Sequence, residues 1–205
     1  MKKNKISKNW IIKQKKDIFF KKAKTKGYRS RSAFKLIEID KKFKVFNQKF
    51  TLLDLGSSPG GWSQVAREKL KKGKILAVDL KPMEKIENVE FIQGDFNDKK
   101  VYEKILLYFN DNVDIIISDM AANTSGNKDL DSYRTGELCL NAMNFATKIL
   151  KKDGIFLSKV FMGAIFKEID QKAKKMFKSV IKFKPLSSKK ESKEIYIICK
   201  GILNL

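Results

Sequence analysis

The sequence has no histidine and is poor in cysteine and proline, with 2 and 3 of these residues among 205. Without an imidazole, any acid–base chemistry would have to use lysine, aspartate, glutamate or tyrosine. The cysteines, Cys139 and Cys199, lack the spacing of metal ligands, so we predict two buried free thiols in a reducing compartment. The sequence therefore predicts no metal site.

Long apolar runs are also missing. No segment approaches the roughly 20 apolar residues that a transmembrane helix needs. The basic N-terminus lacks the apolar stretch of about 7 or more residues that marks a secretory signal. We expect no membrane association and a cytoplasmic location, with import into an organelle left open as an alternative.

Acidic residues are few: 23 stand against 45 lysines and arginines, and the formal net charge is +22. An AT-rich coding sequence could explain why 41 of those bases are lysine, but it would not lower the number of acids. Such an excess of positive charge indicates a polyanionic partner, and nucleic acid is the usual one.

The basic residues are dense in the first 30 positions, where they alternate with aromatic side chains such as Trp10, Phe19, Phe20 and Tyr28. We predict that residues 1–30 form a basic segment that docks nucleic acid and that residues 31–205 form a single domain. The alternative is a solvated tail of lysines. The candidate contacts in this segment are Lys22, Lys24, Lys26, Arg29 and Arg31.

From residue 51 onward, short β-rich runs alternate with helical patterns. This alternation predicts right-handed βαβ units and a mostly parallel sheet with helices on both faces. The last two runs, SVIKFK and EIYIICKG, are separated by a polar loop too short for a helix, so they should pair antiparallel. The helical patterns are SRSAFKLIEIDKKF, which should begin with a serine cap, WSQVAREKLKK, YEKILLYF and ELCLNAMNFATKIL, residues 137–150.

A glycine-rich turn follows the first strand in LLDLGSSPGGWSQVA. Glycines at this point let the backbone approach a ligand at the carboxyl edge of the sheet. The spacing is neither G-x-G-x-x-G nor a P-loop, which favours a cofactor without a pyrophosphate.

Acids close the first strands: Asp54 ends the first, Asp79 the second, and Asp95 follows the third. A carboxylate at the end of the second strand can accept hydrogen bonds from ribose hydroxyls, and one after the third can meet an adenine amino group. Turn acids are common at strand ends, but three in register favour a cofactor that carries a nucleoside.

Lys159 lies within the apolar strand GIFLSKVF, on the side of Ile155 and Leu157. A bare ammonium at such a position is costly unless it is paired. Asp119 ends the neighbouring parallel strand, and Glu194 begins the last strand, whose start lies at the same edge if that strand is antiparallel. We therefore expect these three charged side chains to meet.

Six stretches, nearly the whole chain in order, resemble a known family: GYRSRSAFKLIEID, DLGSSPGGWSQV, VEFIQGDF, SDMAANTSG, KVFMG and KPLSSKKESKEIYIICKG. They resemble the S-adenosylmethionine-dependent methyltransferases, and within them the FtsJ/RrmJ group of RNA ribose 2′-O-methyltransferases. The resemblance implies an α/β, Rossmann-like class I methyltransferase fold. Its seven-stranded sheet is mostly parallel with an antiparallel last strand, and helices cover both faces.

The resemblance also implies functional residues. The family's Lys-Asp-Lys-Glu tetrad matches Lys35, Asp119, Lys159 and Glu194, and its S-adenosylmethionine-binding residues match Gly60, Trp62, Asp79, Asp95 and Asp119. The position of Lys35 beside the other three rests on the resemblance alone. Ala122 stands where the family usually has proline, which changes no reacting group.

Methyl transfer to a ribose 2′-hydroxyl needs a base for the hydroxyl proton, because the hydroxyl is a poor nucleophile at neutral pH. Lys159 is the preferred base and must lose its own proton to serve. In the alternative, Lys159 stays charged and stabilises the developing oxyanion.

The resemblance implies a uridine of 23S rRNA in the large (50S) ribosomal subunit as the target, and we expect the chain to act as a monomer. A tRNA ribose methyltransferase and a non-catalytic RNA-binding assembly factor are the alternatives. A nicotinamide oxidoreductase is disfavoured by the missing dinucleotide fingerprint.

Overall fold

The computed structural model describes residues 17–110, 112–123 and 125–203. In this part of the chain, seven strands form one sheet, and six helices flank it. The remainder of the basic N-terminal segment, Trp10 included, lies outside the described residues.

The helices are α1 (Ile18–Thr25), α2 (Ala33–Phe43), α3 (Gly61–Lys69), α4 (Lys99–Phe109), α5 (Lys128–Ile149) and α6 (Phe166–Met176). The strands are β1 (Leu52–Leu55), β2 (Ile75–Asp79), β3 (Glu90–Gln93), β4 (Val113–Ser118), β5 (Leu150–Phe161), β6 (Phe177–Phe183) and β7 (Glu194–Ile202).

The strand order is β3-β2-β1-β4-β5-β7-β6. Strands β1 to β5 are parallel to one another, and β7 runs antiparallel to both β5 and β6. The predicted mostly parallel sheet with an antiparallel last strand is confirmed. The chain winds outward in opposite directions from β1 and β4, and such a reversal opens a ligand crevice at the carboxyl ends of the strands.

Two hydrophobic cores cover the two faces of the sheet. Leu53 and Leu55 of β1 pack with α4, α5 and α6, whereas Leu52 packs on the other face with α2 and α3. All four residues of β1 are buried. This two-sided burial explains the continuous apolar character of the central strands.

Two helices differ most from the sequence prediction. Helix α5 begins at Lys128 rather than Glu137, because the Asn127 side chain caps it by accepting hydrogen bonds from the N–H groups of Asp129 and Leu130. Helix α6 had no counterpart in the prediction, since its apolar side is narrow and its buried residues are only Ile169 and Ala173.

The predicted serine cap of α2 is wrong. Ser32 precedes the helix, but its side chain makes no capping hydrogen bond, and its Oγ lies 2.7 Å from Ser30 Oγ. The backbone of Ser32 is already helical, with φ −63° and ψ −22°. A capping residue is usually extended, which turns its oxygen toward the free N–H groups of the first turn.

The described half of the N-terminal segment packs on α2. The Phe19 and Tyr28 rings lie 5.6 and 5.9 Å from the Phe34 ring, and Ala23 is buried. A division of the chain at residue 30 stays a prediction, but an aromatic cluster joins the two sides of that boundary.

Both cysteines are free and buried, as predicted, and burial raises the pKa of the Cys139 thiol to about 11. Of the helices in the described ranges, none is long and apolar enough to cross a membrane. In the same ranges, no three His, Cys, Asp or Glu side chains stand close enough to hold a metal ion.

Candidate active site

The strand register gathers charged residues at one edge of the sheet. Ser118 of β4 pairs with Ser158 of β5, so Asp119 and Lys159, the next residues, emerge side by side. Because β7 runs antiparallel to β5, its first residue, Glu194, reaches the same edge and pairs with Phe161. The predicted meeting of these three side chains is therefore present.

Lys159 is held by Asp119 through two contacts. Its Nζ donates to the Asp119 backbone carbonyl at 2.6 Å and lies 3.2 Å from Asp119 Oδ1. The side chain of Lys159 is only 8% exposed, so the carboxylate supplies the pairing that a buried ammonium requires. These contacts use two of the three ammonium hydrogens and leave one for another acceptor.

Lys35 completes the group from α2. Its Nζ lies 2.8 and 2.9 Å from the two carboxylate oxygens of Glu194, and both side chains are about one-tenth exposed. The site thus contains two adjacent buried ion pairs. The structure brings together all four residues that the resemblance assigned to the tetrad, including the lysine that strand topology alone could not position.

Tyr196 links the two ion pairs and was not predicted as a site residue. Its hydroxyl donates to Asp119 Oδ1 at 2.8 Å, and its ring lies 5.7 Å from Lys35 Nζ. It pairs with Lys159 across the sheet. Burial, followed by the negative charges of Asp119 and Glu194, raises the pKa of Tyr196 well above its usual range, so the hydroxyl acts as a hydrogen-bond donor.

Asp119 remains a carboxylate despite its burial. Burial alone would raise its pKa, but the positive charges of Lys159 and Lys35 and the hydrogen bond from Tyr196 outweigh burial and lower it. The site therefore holds a fixed negative charge beside Lys159.

A cavity of about 380 Å³ adjoins this group at the crevice between β1 and β4. Its wall includes the predicted cofactor residues Asp79, Asp95 and Asp119. Other lining residues come mainly from the glycine-rich turn and the segments that follow β2, β3 and β4; among them are Gly56, Ser58, Leu80, Lys81, Phe96, Met120 and Asn123.

Gly60 and Trp62, also predicted to bind the cofactor, are not part of this wall. Gly60 has φ +109°, a conformation that favours glycine, and lies in the turn that closes onto α3. The Trp62 indole donates to the Ser32 carbonyl at 2.9 Å, and its ring lies 5.6 Å from that of Tyr196. Trp62 thus supports the catalytic side of the site from below.

Asp54 is a buried acid directly beneath the glycine-rich turn. Its Oδ2 accepts a 2.6 Å hydrogen bond from Ser63, but its Oδ1 has no partner among the described residues. Burial raises the pKa of Asp54 to about 7; the Ser63 hydrogen bond opposes this change, and the charges of Asp119 and Asp79 add to it. Ionisation of Asp54 therefore lowers the stability of the folded state.

This raised pKa predicts a pH-dependent effect of Asp54→Asn on stability. Below its ordinary pKa of 3.8, Asp54 is protonated in both the folded and unfolded states, but up to about 7 the folded state alone keeps the proton. The wild type therefore loses stability as pH rises through this window. We expect Asp54→Asn to gain about 1–3 kcal/mol relative to the wild type near pH 8, and less near pH 5. Urea unfolding at each pH measures the difference.

Asp114→Asn is the matched control. Burial favours its neutral form, but hydrogen bonds from Lys151 and Thr51 outweigh burial and lower the pKa of Asp114. Its substitution should cost the same stability at pH 5 and at pH 8, because between these values Asp114 is ionised in both the folded and the unfolded state. A constant difference between the wild type and Asp54→Asn over the range would contradict the raised pKa.

The two arginines predicted to contact nucleic acid make internal contacts. The Arg29 guanidinium donates to the carbonyls of Pro59, Glu84 and Lys85, and so fastens the glycine-rich turn to the segment after β2. Arg31 binds the Asp17 carboxylate and the Ser187 carbonyl, and so joins the start of α1 to the loop before β7. The other predicted contacts, Lys22, Lys24 and Lys26, are exposed on or just after α1.

A Rossmann-like sheet in this order, with a glycine-rich turn after β1 and acids at or just after the ends of β2, β3 and β4, defines the chain as a methyltransferase of the Rossmann-like class. The chain belongs to the FtsJ-like methyltransferase family, whose model matches residues 28–202.

Relatives agree with this membership. A ribosomal RNA large subunit methyltransferase E from Pelagibacter ubique is 54% identical over 200 residues, covering 98% of each chain. A protein of the same name from Rickettsia felis is 44% identical, covering 94% of this chain and 87% of its own.

Solved structures agree on the fold. A ribosomal RNA methyltransferase from Plasmodium falciparum has a TM-score of 0.78 and 35% identity, covering 87% of this chain and all of its own. The fibrillarin pre-rRNA processing protein of Methanococcus jannaschii, at 18% identity and a TM-score of 0.56, covers 76% of this chain and 67% of its own and shares the fold.

Proposed function

We propose that the protein transfers a methyl group from S-adenosylmethionine to the ribose 2′-hydroxyl of a uridine in 23S rRNA of the large ribosomal subunit. Support for the rRNA target comes from relatives at 54% and 44% identity that carry the name ribosomal RNA large subunit methyltransferase E. Support for the chemistry comes from the site itself.

The observation that carries this proposal is an acidic cavity in a strongly basic protein. The chain has a net charge of +22, yet the cavity wall carries three carboxylates, Asp79, Asp95 and Asp119, against one lysine, Lys81. This charge fits a ligand with a sulfonium and an ammonium group and disfavours a pyrophosphate, which such carboxylates would repel.

The wall residues supply the contacts that such a donor needs. Asp79 already accepts N–H groups from Ser58 and Lys81, which orient its carboxylate at the end of β2 for ribose hydroxyls. Asp95 is oriented by hydrogen bonds from Asn97. We assign both, together with Asp119, to donor binding and keep Gly60 and Trp62 as proposed contributors. The bound donor supplies an electrophilic methyl on a positively charged sulfur.

Lys159 is the residue that acts on the acceptor hydroxyl. Its one uncommitted hydrogen-bonding position can face a ribose hydroxyl, whereas Asp119 fixes the rest of the ammonium. In the preferred version Lys159 first releases a proton and then takes the hydroxyl proton as a base. In the other version it stays charged and stabilises the oxyanion. The Lys35–Glu194 ion pair helps to hold the Lys159–Asp119 pair in position from the side of α2 and β7.

Transfer of a labelled methyl group tests the proposal. S-adenosylmethionine with a labelled methyl is offered with large subunits that lack the modification, with naked 23S rRNA, and with tRNA. We expect label on a uridine ribose of 23S rRNA, which digestion and mass mapping would locate. Label on tRNA alone would overturn the ribosomal assignment and support the tRNA alternative.

Calorimetric titration with S-adenosylmethionine separates these outcomes from a non-catalytic role. Binding of S-adenosylmethionine without methyl transfer to any of the three RNAs would mean that the acceptor RNA is not among those offered. A protein that folds but does not bind the donor would instead overturn the enzymatic proposal and favour an RNA-binding assembly factor.

A further inference from the structure

The positive charge of the protein is unevenly distributed between the two edges of the sheet. Residues 166–184, which form α6 and the edge strand β6 and are called here the β6 flank, contain seven lysines and two acids. Residues 81–100, around the opposite edge strand β3, contain four lysines and five acids. The lysines of the β6 flank are Lys167, Lys172, Lys174, Lys175, Lys178, Lys182 and Lys184.

Internal ion pairs neutralise little of this charge. Lys174 and Lys182 share a single carboxylate, Asp170, and Lys178 pairs with the largely exposed Asp153. The other four lysines form no ion pair with the described residues. An unneutralised cluster of this kind raises the local concentration of polyanions.

The β6 flank has no exposed large apolar side chain to offer a partner. Its apolar side is turned inward, where Ile169, Ala173 and Phe177 are at most 2% exposed. The exposed large apolar side chains of the described ranges lie elsewhere, on Ile18, Leu80, Leu107, Leu130, Tyr133, Met162 and Leu186. Protein interfaces usually have an apolar core, so the chemistry of this surface fits phosphates and not a protein groove.

The β6 flank meets the site at the C-terminal end of β6 and extends away from it along the edge of the sheet. Phe183 at the end of β6 pairs with Tyr196 of β7, which in turn pairs with Lys159 of β5. Lys184 donates to the carbonyls of Lys190 and Ser192, just before Glu194. An RNA whose ribose reaches Lys159 can therefore continue directly over this edge, whereas the β3 edge lies beyond the acidic cavity.

We propose that the β6 flank is a second RNA-binding surface, which binds the phosphodiester backbone where the RNA continues from the acceptor nucleotide along this edge of the sheet. This assignment rests on the proposed function for the identity of the RNA and on the charge distribution for the surface. It also supplies an RNA contact that Arg29 and Arg31 cannot, since their guanidinium groups are engaged internally.

The test is the triple variant Lys167→Gln, Lys175→Gln and Lys178→Gln, titrated with a 23S rRNA transcript over a series of salt concentrations. Each lysine–phosphate contact adds about 0.7–0.9 to the slope of log affinity against log salt, so the slope should fall by about 2 and the affinity by roughly ten-fold or more. Affinity for S-adenosylmethionine and the melting temperature should stay unchanged.

Lys99→Gln, Lys100→Gln and Lys104→Gln on α4 form the matched control, because they remove the same charge from exposed positions on another helix. Equal loss of RNA affinity in the two triple variants would overturn the proposal, since only net charge would then matter. Loss of binding to phosphatidylglycerol vesicles with RNA binding intact would also overturn it and indicate a membrane surface. This test measures RNA binding and not methyl transfer. If the wild type bound RNA but transferred no methyl group, the proposed function would be contradicted, and the comparison of the two triple variants would still decide whether the β6 flank binds RNA.

Discussion

Lys159→Ala is expected to lower the rate of methyl transfer by roughly 10²–10⁴-fold, the usual contribution of a positioned acid or base. The Lys159 Nζ is held between the Asp119 carboxylate and the Asp119 carbonyl, at the end of a strand beside the donor cavity. Its side chain is not part of the cavity wall. Affinity for S-adenosylmethionine should therefore change little, which calorimetry and single-turnover transfer measured on the same preparation would show.

A large loss of donor affinity in this variant would mean that Lys159 has been given the wrong role. Lys104→Ala is the control for lysine removal, since Lys104 is exposed on α4, away from the site. It should transfer methyl groups at the wild-type rate.

Lys159→Arg separates the two versions of the chemistry. A guanidinium keeps the positive charge and the hydrogen-bond donors, but it does not give up a proton at accessible pH. If Lys159 is the base, the arginine variant should be as slow as the alanine variant. If it acts as a charged donor, the arginine variant should recover part of the rate, and wild-type transfer should not rise with pH through any ionisation of Lys159.

The sheet and three members of the tetrad could be predicted because they follow from short-range patterns. Apolar runs and glycine turns mark the strands, and parallel strands end at a common edge, so Asp119 and Lys159 had to be neighbours once their strands were adjacent. The position of Glu194 required only that the last strand be antiparallel.

The positions of Lys35, Arg29 and Arg31 could not be predicted from such patterns. Helix α2 precedes the sheet, and its docking depends on contacts between residues distant in sequence, such as the Trp62 indole with the Ser32 carbonyl and Lys35 with Glu194. Arg29 bonds three backbone carbonyls, which no residue pattern marks. Its sequence context resembles that of a free basic arm, and only the fold shows that the guanidinium is used internally.

Tyr196 could have been found from the sequence. It lies two residues after Glu194 in a strand, so the period of two places both side chains on the same face of β7. A tyrosine beside a predicted acid, on the face that carries Lys159 across the sheet, is a candidate hydrogen-bond donor. Asp54 likewise stood in the sequence as a strand-end acid, but its missing partner is visible only in three dimensions.

Asp119→Asn is expected to have the second largest effect. Unlike Lys159→Ala, it should weaken donor binding as well as slow methyl transfer. Asp119 lines the donor cavity, pairs with Lys159 and accepts the Tyr196 hydroxyl. The amide keeps the shape but leaves a buried ammonium without its counter-charge, which typically costs about 3–5 kcal/mol of stability. We expect a fall in melting temperature, weaker donor binding, and transfer slowed by roughly 100-fold or more.

Tyr196→Phe provides the matched control, because it removes only the hydrogen bond to Asp119 and keeps the carboxylate beside Lys159. Its cost should be close to that of a single hydrogen bond, about 0.5–1.5 kcal/mol, with donor affinity nearly unchanged. A loss as large as that of Asp119→Asn would show that orientation of the carboxylate, and not its charge, is what the site requires.

The double variant Asp119→Asn with Lys159→Ala decides how the carboxylate contributes to transfer. If Asp119 acts on the acceptor only by holding Lys159, the two residues form one unit, and their effects should not add. Saturated with donor, the double variant should then be about as slow as Lys159→Ala alone, and more stable than Asp119→Asn because no unpaired ammonium remains. Additive losses in rate would require Asp119 to contact the reacting groups directly, through the oxygen that faces the cavity.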